Sequence, residues 1–136
     1  MKLSGKCSWF GGPLDRGVDP DEGLALYSSV DQAPWLFMSK QPPGTTGLAR
    51  RLNPSANFIA CRWNYDEHTK EYLRKHFALV RARLTGNVLV CFPVDWGPGH
   101  ETGRAADLSM GAMQKLGIKT DDVVDVVFPA EEGLIA

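Results

Sequence analysis

Apolar residues in this chain fall into short runs separated by turn-forming residues, a spacing of strands rather than of long helices. Gly5–Phe10 is apolar with polar interruptions and stops at Gly11-Gly12-Pro13, which predicts a strand and a turn. Leu24–Tyr27, after the acidic turn Asp19–Glu22, predicts a second short strand. From residue 28 to about 57 the pattern breaks down, with Pro34, Pro42, Pro43, Gly44, Gly47 and Pro54 interrupting it. This is a long irregular excursion, and loops of such length tend to be functional or partner-binding. Its apolar cluster, Trp35, Leu36 and Phe37, is either a second small core or a contact surface.

Strand character returns at Phe58–Trp63, and Thr69–Lys75 is long enough for one helical turn. Phe77–Arg83 and Val88–Val94 flank Gly86-Asn87, a pair that tolerates positive φ and so predicts a hairpin. Ser109–Leu116 predicts a helix: Ser109 suits the N-cap, Met113 and Leu116 share a face, and Gly117 suits a left-handed C-terminal cap. Val123–Phe128, ended by Pro129, predicts the last strand, with Asp125 on an exposed face or rim. The sum is one mainly β domain over residues 1–136: a six-stranded barrel with one short helix and an insertion at about 28–57.

Composition narrows the classes. The 14 Gly and 9 Pro in 136 residues support a turn-rich β fold over a helical bundle. The 15 Lys and Arg against 16 Asp and Glu give a formal charge of -1, which argues against a dedicated nucleic-acid binder. The basic cluster Lys70, Arg74, Lys75, His76, Arg81 and Arg83 is interleaved with Asp66, Glu67 and Glu71 and predicts a solvated face. No apolar run approaches the roughly 20 residues of a membrane span. The first residues lack the apolar segment of a secretory signal, so no leader is expected within this chain. Cys7, Cys61 and Cys91 are widely spaced, allow at most one disulfide and predict buried thiols, not a zinc site. No phosphate-loop, metal-ligand or nucleophile-elbow motif is present, so neither a metal nor a nucleotide cofactor is expected.

Two segments carry a resemblance. Val90-Cys-Phe-Pro-Val-Asp95-Trp-Gly-Pro98, followed by Gly103-Arg-Ala-Ala-Asp107-Leu-Ser109 and Leu116-Gly-Ile118, resembles the C-terminal half of the rare lipoprotein A (RlpA-like) and expansin-type domain. Gly5-Lys-Cys-Ser-Trp-Phe-Gly-Gly12 resembles that family's first strand, and Asp21-Glu22-Gly23-Leu24 its Gly-Glu step. Together these cover about half of the chain. The resemblance implies a double-psi β-barrel and a polysaccharide partner, the glycan of bacterial peptidoglycan. It also implies lytic-transglycosylase-like chemistry, with Asp107 as the catalytic acid and Asp95 and Glu22 as groove partners. The chain departs from the family at two points: no histidine occupies the groove position, and Trp96 stands in place of an arginine.

Lytic cleavage needs a carboxylic acid protonated near neutral pH, which partial burial or a second carboxylate provides. Asp107 fits that role, or it bonds the backbone N–H groups of the helix start. Asp95 lines a groove or only forms a turn. His100, on the loop between the two motifs, either replaces the missing histidine as proton partner and sugar donor or is incidental. Trp96 and Trp63 are candidates for stacking on sugar rings, and Trp9 for filling the barrel. Arg104 is a candidate substrate contact, or a salt-bridge partner that would depress the pKa of Asp95 or Asp107. Two further readings stay open. One is a non-catalytic binding or structural module, such as a phage-particle or secretion-apparatus component, with self-association or a protein partner engaged through residues 28–57. The other is a nucleophile pair of Cys61 with His68 or His76. The resemblance would put the protein in a cell envelope or phage particle.

Overall fold

The final strand shows how the chain builds its core. In Val123–Val127 the even positions Val124 and Val126 are buried and the odd ones only partly so, the period-two pattern of a strand with one face inward. The structure, a computed structural model, describes residues 1–131. Its strands are β1 (Lys2–Trp9), β2 (Phe58–Cys61), β3 (Ala78–Ala82), β4 (Val88–Trp96), β5 (Arg104–Leu108) and β6 (Val123–Val127). They close into a barrel in the order β1-β5-β2-β4-β3-β6, which leaves no free sheet edge among them.

Two pairings are parallel, β1 with β5 and β2 with β4, and each shifts register once, at Lys6/Cys7 and at Ile59/Ala60. The remaining four pairings are antiparallel. A six-stranded barrel is narrower than the eight-stranded kind whose interior side chains just fill. Small residues accordingly line it: Cys7, Cys61, Ala78, Ala82, Cys91 and Ala106 are all fully buried. The thiols pack there as small hydrophobes, and Cys7 Sγ lies 3.7 Å from Met113 Sδ.

The mainly β barrel of six strands is as expected, but one strand is not the expected one. Leu24–Tyr27 is not a strand. Leu26 N–H does reach the Val94 carbonyl at 3.3 Å, but the neighbouring amide, Ala25 N–H, bonds the Asp95 carboxylate at 2.8 Å. A side chain takes a backbone acceptor's place there, and no ladder propagates. The sixth strand is β5, whose Arg-Ala-Ala-Asp-Leu composition has little intrinsic strand preference. Tertiary pairing on both sides imposes the extended form. Its alanines also permit closure, since a Cβ on Gly5 would lie 2.7 Å from the Ala105 Cβ.

There are two helices rather than one. The turn expected at Thr69–Lys75 is α1 (Lys70–Lys75), capped by the Thr69 hydroxyl. The expected late helix is α2 (Met110–Leu116), with Ser109 as N-cap and Gly117 in the left-handed conformation at φ 72°. The hairpin between β3 and β4 turns at Gly86, with the Ala82 and Asn87 backbones bonded at 2.9 Å. Residues 28–57 form the expected irregular excursion, with short 3-10 turns at Val30–Gln32, Pro34–Leu36 and Ala49–Arg51. They do not make a separate core. Leu36, Phe37 and Leu52 are buried in the same cluster as the barrel residues, and Phe37 pairs with Leu52. Trp9 does not fill the barrel either; it is half-buried in a shallow depression beside Met113 and Ile118.

Helix α2 docks on this excursion so closely that a side chain is excluded. Gly111 N–H donates to the Pro54 carbonyl at 2.8 Å, and a Cβ on Gly111 would lie 2.5 Å from that oxygen. Helix propensity alone predicts that Gly111→Ala stabilises by about 1 kcal/mol. The docking predicts the reverse sign, a loss of roughly 1–3 kcal/mol and a lower Tm. A calorimetric Tm at or above that of the wild type would contradict the close seating.

Candidate functional site

The register places two carboxylates on one rung. Asp107 of β5 and Asp95 of β4 both pair with Ala60 of β2, so they flank its small methyl group on the same face of three adjacent strands. Ala106 and Cys61, the next positions on β5 and β2, point into the barrel and are fully buried. The rung therefore faces outward. The loop carrying Glu22 approaches Asp95 and is tied down by Ala49 N–H on the Glu22 carbonyl at 3.1 Å.

Asp107 is partly buried and its carboxylate makes no hydrogen bond among the described residues. Burial pushes its pKa up to about 6; the Arg104 cation opposes the shift, and the Asp15 and Asp95 charges add to it. The capping alternative for Asp107 is thereby corrected. Ser109 Oγ caps the helix, accepting from Ala112 N–H at 3.1 Å, and leaves Asp107 free of that task. Asp95 is held differently: its Oδ1 accepts from Ala25 N–H at 2.8 Å and Trp96 N–H at 2.9 Å. Burial raises its pKa and these two bonds hold the rise back. Glu22 is exposed, and its pKa is raised first by partial burial and then by the Asp95 charge.

Asp15 joins the cluster without having been expected. Its carboxylate accepts from Gly11 N–H at 2.8 Å and Gly17 N–H at 2.9 Å, which fixes the turn after β1 near Asp107. The only sequence signal was an Asp within a Gly- and Pro-rich turn. Arg104 forms its salt bridge with Asp121, at 3.0 Å, and not with Asp95 or Asp107. It acts on Asp107 only at longer range.

The ring-bearing candidates lie on a neighbouring feature. A cavity of about 680 Å³ is lined by Arg62, Trp63, Asn64, Tyr65, Trp96 and His100, together with Ala105. Trp96 is 44% exposed there and its Nε1 donates to the Trp63 carbonyl at 3.1 Å, which fixes the ring. Trp63 is only 3% exposed; its Nε1 donates to the Asp95 carbonyl at 2.8 Å and its ring packs on Phe128 at 5.2 Å. It is a core residue supporting the site, and has no free face for a sugar. Asp107, Asp95 and Glu22 do not line this cavity, and neither does Arg104. Arg62 and Tyr65, which do, lacked any motif; the one hint was a charged residue at the end of the apolar run Phe58–Cys61.

The thiol pair is not assembled. All three cysteines are buried and free. Burial pushes Cys7 up to about 11 and Cys91 up to about 12, and it raises Cys61 further. His68 stacks on Tyr72 and meets the edge of Phe128, and His76 Nδ1 lies 2.8 Å from the Tyr72 carbonyl, so neither engages Cys61. Among the described residues no group of His, Cys, Asp or Glu could hold a metal ion, and no helix is long and apolar enough to cross a membrane. No family model and no curated protein matches the chain, so the chemistry is read from this geometry.

Asp107 also makes a stability prediction. Its native pKa lies above the unfolded value, so the native state binds the extra proton between about pH 4 and 6. Wild-type stability is therefore unaffected by this group below that window, falls as pH rises through it, and stays reduced above it. Asp107→Asn is predicted to raise Tm at pH 7.5, by a gain on the order of 1–2 kcal/mol after allowing for solvent screening, and to leave it unchanged at pH 3.5. Equal shifts at both pH values in thermal melts would contradict the burial cost.

Proposed function

We propose that this chain acts on a polysaccharide, the glycan of a bacterial cell wall, as a lytic-transglycosylase-like domain of the rare lipoprotein A kind. The observation that carries the reading is the state of Asp107: half-buried, without a hydrogen bond, and raised to about 6. Such a carboxyl is roughly half protonated at pH 6 and still about one-tenth protonated at pH 7, the range a general acid needs. In the reaction, protonated Asp107 gives its proton to the glycosidic oxygen as the bond from that oxygen to the anomeric carbon breaks. The carboxylate then takes the proton of the same sugar's 6-hydroxyl while that oxygen closes on the anomeric carbon. An anhydro ring forms, no water is consumed, and Asp107 is protonated again.

Asp95 and Asp15 supply negative charge that keeps the acid protonated, and Asp95 with Glu22 beside it favours the cationic character developing at the anomeric carbon. The histidine expected of the family has no counterpart at this rung. His100 lies on the neighbouring cavity and is the proton partner or sugar donor available there.

The alternative reading, a non-catalytic module, draws on one observation. Trp35 is 53% exposed and packs against Phe92 at 4.3 Å; Phe92 also meets the half-exposed Phe77 at 4.8 Å. These rings make an apolar outer surface of the kind that protein partners cover. Purified glycan strands distinguish the two readings. The catalytic reading predicts release of anhydro-sugars at a rate that falls as pH rises through about 6, and no release by Asp107→Asn. Equal turnover by wild type and Asp107→Asn would remove it. An inactive wild type that self-associates in sizing chromatography, and loses association in Trp35→Ser, would replace it with the module.

A further inference from the structure

The cavity beside the carboxylate rung has a feature that acid–base chemistry does not use. Arg62 is half-buried in its wall, and one guanidinium nitrogen, Nη1, donates to the Pro98 carbonyl at 2.6 Å and the Arg104 carbonyl at 2.8 Å. A guanidinium carries five N–H donors, so those on Nε and Nη2 are left without a protein acceptor among the described residues. No carboxylate forms an ion pair with it there either. The contrast with its neighbours is plain: Arg104 is paired with Asp121 and Arg83 with Asp125. A partly desolvated cation with unused planar donors suits a carboxylate.

The remaining lining fits a ring attached to that anion. Trp96 offers an exposed indole face whose orientation is fixed by its bond to the Trp63 carbonyl. The Tyr65 hydroxyl is buried in the wall and has no hydrogen-bond partner among the described residues. His100 and Asn64 add polar groups, and Asp66 lies exposed at the rim without pairing to Arg62. The placement relative to the rung follows from strand geometry. Trp96, in the cavity, directly follows Asp95 of the rung on β4, and its backbone N–H donates to the Asp95 carboxylate at 2.9 Å.

We infer that this cavity is a subsite for a carboxylate-bearing sugar ring, with Arg62 holding the carboxylate and Trp96 stacking on the ring. The inference rests on the glycan reading and adds to it a selection for acidic over neutral sugars. Through Trp96, which follows Asp95 on β4, a ligand seated there borders the rung, where the bond to its neighbouring sugar would be cut.

The test is calorimetric titration of the wild-type protein at pH 8, where Asp107 is ionised and the oligosaccharide stays intact. The probes are a glycan of alternating N-acetylglucosamine and N-acetylmuramic acid, the same oligomer with its carboxyl groups reduced to alcohols, and a neutral N-acetylglucosamine oligomer of equal length. The acidic oligomer is expected to bind at least about tenfold more tightly than either neutral one, with the preference shrinking as salt is raised. Arg62→Gln is expected to abolish the preference while keeping the weak neutral binding. Trp96→Ala is expected to weaken all three.

Because Arg62 also ties two carbonyls together, Arg62→Lys is the companion variant, expected to keep part of the preference in a protein of normal melting behaviour. Equal affinity of the wild type for acidic and reduced oligomers, or no binding of either, would overturn the subsite. The two claims fail separately. Preference at pH 8 without cleavage at pH 5 would sink the catalytic reading alone, and cleavage without preference would sink the subsite alone.

Discussion

Between β1 and β2 there is room for one strand, and the barrel shuts only if that strand is narrow. β5 meets the condition with two alanines, one of them against Gly5. Everything at the candidate site follows from that closure. It sets Asp107 level with Ala60, and through Ala60 level with Asp95, on an outward face that the Glu22 loop partly covers. A bulkier β5 would hold the barrel open and return Asp107 to solvent, where a carboxylate has its ordinary pKa.

Burial, the Arg104 cation and the Asp15 and Asp95 charges together decide the protonation of Asp107. Burial is the largest and disfavours the charged form of Asp107, while Arg104 pulls the other way. Arg104 does not win, because it is engaged with Asp121 and acts on Asp107 only from a distance. Had it bonded Asp107 directly, the carboxyl would have been held low and unfit as an acid. Asp95, by contrast, is occupied by two backbone amides, which is why the two carboxylates of one rung are not equivalent. The same residue that anchors residues 24–25 thus also supplies charge to its neighbour.

Much of the architecture was legible because it is written in local chemistry. The valines of β6, the Gly86 hairpin and the Ser109 and Gly117 caps each announce themselves without reference to the rest of the fold. β5 did not, because Ala and Asp carry no strand preference and only its neighbours extend it. Leu24–Tyr27 misled for the converse reason: its apolar run is real and Leu26 and Tyr27 are buried, but Asp95 intercepts the amide that a ladder would need. Asp107, Asp95 and Glu22 were readable as acids in motif-like settings. Asp15 and Arg62 were not, since the turn and the cavity that give them meaning come from residues far away in the chain. Trp63 illustrates the limit of residue type: the same indole that suits a sugar also suits a core, and only burial decides.

The site turns on one carboxyl that keeps its proton to a pH at which carboxyls are usually charged. The direct measurement is a ¹³C carboxyl NMR titration of Asp107 in the folded protein, assigned by comparison with Asp107→Asn. The expected midpoint is about 6, moving down in Asp95→Asn as the neighbouring charge is removed. A midpoint near 4, unmoved by Asp95→Asn, would mean that the rung imposes no burial on Asp107, and the acid at the centre of this account would not exist.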